Sequence, residues 1–229
     1  MRGALAIAVV LCPAVAAAEA AHPEELFLGE AAWLQERAEL QIGAAPSIDH
    51  ERWQVGATVE YGLTERFQLS LEGAWTDGAQ MDVLRDVELG ALFAPVHTHR
   101  FTLAVGASAR AEVASEVEWS AEPMVCAALF GRNIGANLAV STELGAEIEP
   151  TVALGLFART GSVMPILEGA IGEGEIGGRA GLAVQLGNFE IAAAIGIGTE
   201  GGVSGHAALS WEIELVDDDD GDDDKDDAP

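Results

Sequence analysis

Positive charge is scarce in this chain. Its 229 residues include 11 Lys plus Arg against 38 Asp plus Glu, for a net charge of −27. A phosphate backbone repels such a surface, which excludes a nucleic-acid binder. Cysteine is nearly absent: Cys12 and Cys126 are the two, with no pair at metal-ligand spacing, so a zinc ribbon and a disulfide-stapled scaffold are excluded. Lys225 is the only lysine. From Ala21 to Val216 there is no apolar run of about eighteen residues, so no transmembrane helix is expected, and helical periodicity is scarce. What is abundant is apolar residues, at 49%, and glycine, at 27 residues. That much hydrophobicity rules out wholesale disorder.

Both ends read as separable from the middle. Arg2 supplies a positive start, Ala4 to Val15 an apolar core broken only by Pro13, and Ala18-Glu19-Ala20 a small-x-small site. Residues 1–20 are therefore expected to be a secretory signal peptide cleaved before Ala21. The apolar run is too short for a bilayer anchor. Leu11 is too large for the small residue that a lipoprotein site would want before Cys12. Residues 21–31 are expected to be a periplasmic N-terminal segment, and 32–216 a transmembrane barrel. Residues 217–229 carry nine Asp and one Lys, so −8 of the −27 sits there. Like charges at that density repel, and a disordered acidic tail is expected. Its Asp-rich run lacks the ordered spacing of a calcium loop.

The middle alternates, which places one residue class on each face of a strand. Trp53, Val55, Ala57, Val59 and Tyr61 alternate with Arg52, Gln54, Gly56, Thr58 and Glu60. Phe67, Leu69, Leu71, Gly73 and Trp75 alternate with Gln68, Ser70, Glu72 and Ala74. The pattern predicts twelve strands, over 32–42, 51–61, 66–76, 86–94, 100–112, 119–130, 134–148, 151–160, 163–171, 175–186, 189–198 and 203–215; ten is the alternative count. The weakest are 119–130 and 163–171, interrupted by Pro123 and Pro165. Gly131-Arg132-Asn133, Gly172-Glu173-Gly174, Gly187-Asn188 and Gly201-Gly202 supply turn chemistry.

Alternation alone does not say which face is inside. Three features put the apolar face outward, against lipid. The strands reach the roughly 9–11 residues needed to cross hydrocarbon, where globular strands average about 5–6. Trp53 and Tyr61 bracket one strand and Phe67 and Trp75 the next; eight residues at about 3.3 Å span ~26 Å, or ~20 Å along the normal after tilt, close to a lipid-facing band. Between them lie Val, Ala, Leu and Gly, too small to fill a wide soluble barrel. Tyr61, Phe67, Phe93, Phe101, Phe189 and Trp211 are expected at one interface and Trp53 and Trp75 at the other, as two aromatic girdles. With both ends in the periplasm, the connections 43–50, 77–85 and 113–118 fall outside the cell and 62–65, 95–99, 131–133 and 187–188 fall in the periplasm. Longer loops outside and short turns inside are the rule for such barrels.

The stretch Glu60-Tyr61-Gly62-Leu63-Thr64-Glu65-Arg66-Phe67-Gln68-Leu69-Ser70-Leu71-Glu72 resembles the repeated hairpin of bacterial outer-membrane barrels of the phenol-degradation meta-pathway (MetA-like) transporter type. The resemblance covers two strands closely and the remainder by pattern. It implies an all-β, antiparallel up-and-down transmembrane β-barrel in the cell outer membrane. Its implied partners are outer-membrane lipid, the barrel-assembly machinery, and small solutes or cations, with no nucleic acid. One departure is that the last strand ends Trp211-Glu212-Ile213-Glu214-Leu215, ahead of the tail and without a terminal aromatic, so the insertion signal would be internal.

The second face of the strands is then the lumen. Glu60, Glu72, Glu88, Glu112, Glu143, Glu147, Glu175, Glu190, Glu212 and Glu214 fall on it, with Arg37, Arg52, Arg66, Arg110, Arg159 and Arg179. Ions in lipid are costly, so these should face away from it. The lumen-lining set is taken as Glu60, Glu72, Glu88, Arg110, Glu143, Glu147, Arg159, Glu175, Arg179 and Glu212. Acid outnumbers base, which favours cations in a lined path. An Arg–Glu ladder plugging a narrow barrel is the competing role, although Gly56, Gly90, Gly106, Gly135, Gly177 and Gly181 leave room on this face. The expected function is a small-solute channel or transporter with an acidic, cation-favouring lumen. The alternatives are a non-conducting structural barrel and a soluble periplasmic β-barrel binding an apolar ligand. Ser204-Gly205-His206 puts a hydroxyl and an imidazole on one strand face, and Glu212 is a candidate to orient the ring. That face is the lumen, away from lipid substrate, so no enzyme is expected. His97-Thr98-His99 lies in a turn without a third ligand, and neither a cofactor nor a resident metal is expected.

Overall fold

The structure is a computed structural model that describes residues 32, 34–48, 53–77, 83–113, 117–145, 148–172, 175–199 and 202–215. The expected signal peptide (1–20), segment 21–31 and acidic tail lie outside the described residues, as do Arg52 and Glu147. The described residues form twelve strands: β1 (Glu39–Ile48), β2 (Trp53–Thr64), β3 (Phe67–Asp77), β4 (Val83–Thr98), β5 (Phe101–Val113), β6 (Val117–Phe130), β7 (Ile134–Leu144), β8 (Ile148–Ala158), β9 (Val163–Gly172), β10 (Glu175–Leu186), β11 (Phe189–Gly198) and β12 (Gly202–Glu214). Each pairs antiparallel with its sequence neighbours, and β1 pairs with β12, from Glu39↔Glu214 to Ile48↔Gly205. The result is a closed barrel with an up-and-down order and no sheet edge.

The two faces divide as the alternation predicts. On β11, residues alternate exposed and buried from Phe189 to Ile197. The outward positions are large and apolar: Leu71, Leu89, Val125, Leu154, Leu182 and Ile195 are all exposed, on strands spread round the barrel. A water-soluble protein does not present an apolar surface on that scale, whereas a barrel in lipid requires it.

The prolines fit because each falls where one ladder lapses. Pro123 pairs with Ala107 on β5, while the β6–β7 ladder passes from Ala121↔Leu144 to Met124↔Ser141 and skips it. Pro165 pairs with Leu182 on β10 but lies just past the last β8 pair, Phe157↔Ile166. Pro46 pairs with Val55 while the β1–β12 ladder skips from Ala44 to Ser47. A residue without an N–H is tolerated on the side where no bond is asked of it. Both spans expected to be weak are therefore full strands.

Two expectations need correction. The first strand does not occupy 32–42; it begins at Glu39 and runs through Pro46 to Ile48. The chain turns sharply ahead of it, with Ala38 at φ 63°, the one left-handed non-glycine among the described residues. The Glu39 N–H donates to Glu36 O at 3.2 Å, and the Ala38 N–H donates to Gly62 O at 2.8 Å. The loop lengths also differ. The connections expected at 43–50, 77–85 and 113–118 shrink to 49–52, 78–82 and 114–116, because the strands on either side extend into them. The opposite connections are 65–66, 99–100, 131–133, 159–162 and 187–188. The length asymmetry that was to orient the barrel is thus slight.

Candidate functional site

The barrel interior has two unlike halves. The terminal end, where β1 starts and β12 finishes, is filled. Ala32, Leu34 and Gln35 are buried there. The Ala32 N–H donates to Asn137 Oδ1 on β7 at 3.0 Å, and the Gln35 N–H donates to Gln68 Oε1 on β3 at 2.8 Å. The Gln35 amide donates to Gln41 and, at 3.2 Å, to Glu60 Oε2. In a twelve-membered ring β7 is opposite β1, so this segment crosses the lumen. Gly62 is what admits it, because a Cβ there would lie 1.8 Å from Glu36 O. Around the segment packs an apolar cluster of inward side chains: Leu92, Met124, Cys126, Phe157, Met164 and Ile166, with several alanines. Phe157 can lie inward because Gly135 opposite has no Cβ; one would meet the ring at 2.2 Å.

The far half is polar and hollow. A cavity of about 380 Å³ is lined by Ser47, Gln54, Thr58, Glu72, Asp86, Glu88, Arg110, Arg179 and His206, among others. Asp86 and Arg110 form an ion pair at 2.8 Å, diagonally across β4 and β5. His206 Nε2 and Ser204 Oγ lie 2.7 Å apart. Gly56 lines the cavity, and Gly90 accommodates Ser70 on β3, whose Oγ would lie 2.3 Å from a Cβ there.

Of the lumen-lining set, Glu72, Glu88, Arg110 and Arg179 are brought together round this cavity. Glu143 and Glu175 sit on their strands near the same end, close to the connections 145–147 and 173–174. Glu60 is elsewhere, hydrogen-bonded to Gln35. Arg159 lies past the end of β8 at the terminal end, where its Nε donates to Gly161 O at 2.9 Å. Glu212 is also at that end, its N–H donating to Asn188 O at 2.9 Å. It is six residues from His206 along β12, or ~20 Å at strand rise, so it does not orient the imidazole. His97 Nδ1 meets Thr102 Oγ1 at 3.2 Å. Among the described residues no group of three or more His, Cys, Asp or Glu can hold a metal ion.

All eight expected girdle aromatics point outward. Trp53, Trp75, Phe93, Phe189 and Trp211 are exposed, and Tyr61, Phe67 and Phe101 are half-buried. Phe67 and Phe93 are register partners near the terminal end, and Phe189 stacks on Trp211 with centroids 5.4 Å apart. Trp119, exposed near the far end of β6, joins Trp53 and Trp75 there. Sequence reasoning overlooked it, as it overlooked Asp86, Glu122 and Glu168 on the inward face. Parity carried the signal in each case: Asp86 precedes Glu88 by two, and Glu122 and Glu168 fall on the polar parity of the two proline-interrupted spans.

No protein-family model matches the sequence, and neither does any curated protein. Solved structures do share the fold. The KdgM porin aligns with a TM-score of 0.65 at 12% identity, over 75% of this chain and 98% of the porin. The KdgM porin in complex with disordered oligogalacturonate aligns at 0.66 and 14%, with the same coverage. The NanC porin aligns at 0.60 and 9%, over 76% of this chain and 100% of its own. At such identities the likeness establishes the fold: a closed twelve-strand antiparallel barrel of the transmembrane all-β class.

Proposed function

We propose that this chain is an outer-membrane β-barrel that admits small polar solutes and cations through an acid-rich lumen. The observation that carries this is the hollow far half, where charged side chains surround a cavity of about 380 Å³ instead of being packed out. A charged, water-accessible wall inside an apolar shell is what a solute path needs. The porin folds of KdgM and NanC support it, as does the MetA-like hairpin at 60–72. The ligand class of KdgM is not carried over, because oligogalacturonate is a polyanion and the wall here is predominantly acidic. Export by a signal peptide at 1–20, and a tail hanging in the periplasm, belong to the same proposal.

The crossing segment supports a second reading, a non-conducting structural barrel. Its hydrogen bonds and the apolar cluster around it close the terminal half. Channel recording in planar bilayers separates the two. The proposal expects cation-carrying openings from the full chain, more frequent in a Gln35→Ala, Gln68→Ala double variant whose segment is held less firmly. Absence of conductance from both proteins, each shown to be folded, establishes the structural barrel.

A further inference from the structure

A second cavity, of about 450 Å³, lies at the far end of the seam where β1 closes on β12. Its lining departs from the two-faced pattern of the wall. Ser47, Gln54 and His206 have the inward parity and Pro46, Trp53 and Val55 the outward one, yet all six line the same space. Pro46, Ser47, Gln54, His206 and Ala207 also line the charged lumen cavity. The space therefore reaches from the lipid side of the seam to the lumen. The backbone supplies the reason. The β1–β12 ladder runs to Ala44↔Leu209 and resumes at Ser47↔His206, skipping the positions where Ala45 would meet Ala208 and Pro46 would meet Ala207. Pro46 has no N–H to give to β12. On the other side both residues are paired, as Ala45↔Gly56 and Pro46↔Val55. The lining chemistry also differs from that of the lumen. Glu72, Glu88, Arg110 and Arg179 line the lumen cavity, but no Asp, Glu, Lys or Arg among the described residues lines the seam. Its polar side chains are a hydroxyl, a carboxamide and an imidazole, and the remainder is apolar or glycine.

We propose that this seam holds one small uncharged amphiphile, of the medium-chain alcohol class, laid across the barrel wall. Its hydroxyl lies inward beside Ser47 and Gln54, and its hydrocarbon body lies outward against Pro46, Trp53 and Val55. The volume falls within the ~300–1,000 Å³ of small-molecule sites, which are mostly apolar with a few placed polar groups. A charged head would leave water for a space that offers it no counter-ion, which is costly. A phospholipid fits worse still, because its phosphate would sit beside an acid-rich lumen. Trp53 suits the boundary, with an apolar ring and a polar N–H edge. The proposal adds a solute class to the channel reading and rests on it only for the lipid that surrounds the seam.

Photolabelling of the full-length protein in phospholipid vesicles with a diazirine derivative of octanol tests it, read by mass spectrometry of the adducts. Adducts should form on Ser47 or Gln54 as well as on Trp53, and excess octanol should suppress them about tenfold, as for a saturable site. Adducts on the lipid-facing Leu154 of β8 should fall little, since open lipid surface does not saturate. Octyl sulfate and octyltrimethylammonium, which carry a charge in place of the hydroxyl, should compete about tenfold less well than octanol. Two variants close the seam by different means. Pro46→Val supplies the missing N–H toward β12, and a disulfide between Ala45→Cys and Ala208→Cys staples the lapse and is opened by reductant in the same molecule. Each should cut the saturable labelling of Ser47 and Gln54 about tenfold in protein that shows the folded gel shift, and reduction should restore it in the second. A disulfide between Ala183→Cys and Ala192→Cys, register partners on β10 and β11, should leave it as in the unaltered chain. Full saturable labelling in both closed variants, adducts on Trp53 with none on Ser47 or Gln54, or a charged competitor equal to octanol overturns the proposal. Saturable labelling without bilayer conductance keeps the seam site and defeats the channel. Conductance with labelling that octanol does not suppress does the reverse.

Discussion

Leu71 and Glu72 are neighbours in sequence and face opposite media. Leu71 is half exposed on the outer wall, and Glu72 lines the inner cavity. A cation placed at mid-strand toward lipid costs about 2–4 kcal/mol, and one near an interface about 0–1 kcal/mol. Leu71→Arg should therefore impair folding most, and Trp53→Asp and Trp75→Asp less. Glu72→Gln should leave assembly intact, because it alters only the interior. The heat-modifiable gel shift of a folded barrel reads all four. A folded Leu71→Arg beside an unfolded Glu72→Gln would mean the faces are reversed.

Ala32, residues 34–38 and strand β1 show what alternation reports and what it does not. A period of two says that a stretch has two environments; it does not say that the stretch is paired. Ala32, Leu34 and Gln35 are buried because the segment lies inside the barrel, so a strand reading from 32 was natural and wrong. Gly43-Ala44-Ala45-Pro46 looks like a turn and is strand, since Pro46 faces outward where the ladder to β12 lapses. By contrast β10 and β11 match their expected limits, because glycine turns punctuate both ends and no proline intervenes. The far cavity was legible only in part. Parity assigns Glu72, Glu88, Arg110 and Arg179 to the lumen, but only closure of the ring sets Arg179 opposite the glutamates. The apolar cluster went unseen because Ala104, Ala128 and Ala192 are neutral in a pattern that contrasts charge with bulk. The crossing segment offers its own test at Gly62. Gly62→Ala forces a Cβ against the Glu36 carbonyl, which is backbone and cannot swing aside. The barrel should still show its gel shift, while bilayer conductance rises. Unchanged conductance in that folded variant would show that the segment does not limit passage.

At the scale of the whole barrel, the proposed function is a low-dielectric shell round an acid-rich lumen. The tail holds −8 of the −27, and residues 1–20 sum to zero through Arg2 and Glu19, which leaves −19 between them. On the described strands much of this charge points inward, with Arg110 and Arg179 as the opposing cations in the cavity. Low-dielectric walls focus such a field along the axis and enrich cations at the mouth. In the proposed channel, the filled terminal half would set how often that field is used, and the far half would set its sign. The most direct measurement is the reversal potential in a salt gradient, made on the full chain and on a chain truncated after Val216. Both should prefer cations, and the preference should weaken as salt rises and screens the wall. Anion preference in both would contradict the acidic lumen, and selectivity lost with the tail would place its origin outside the barrel.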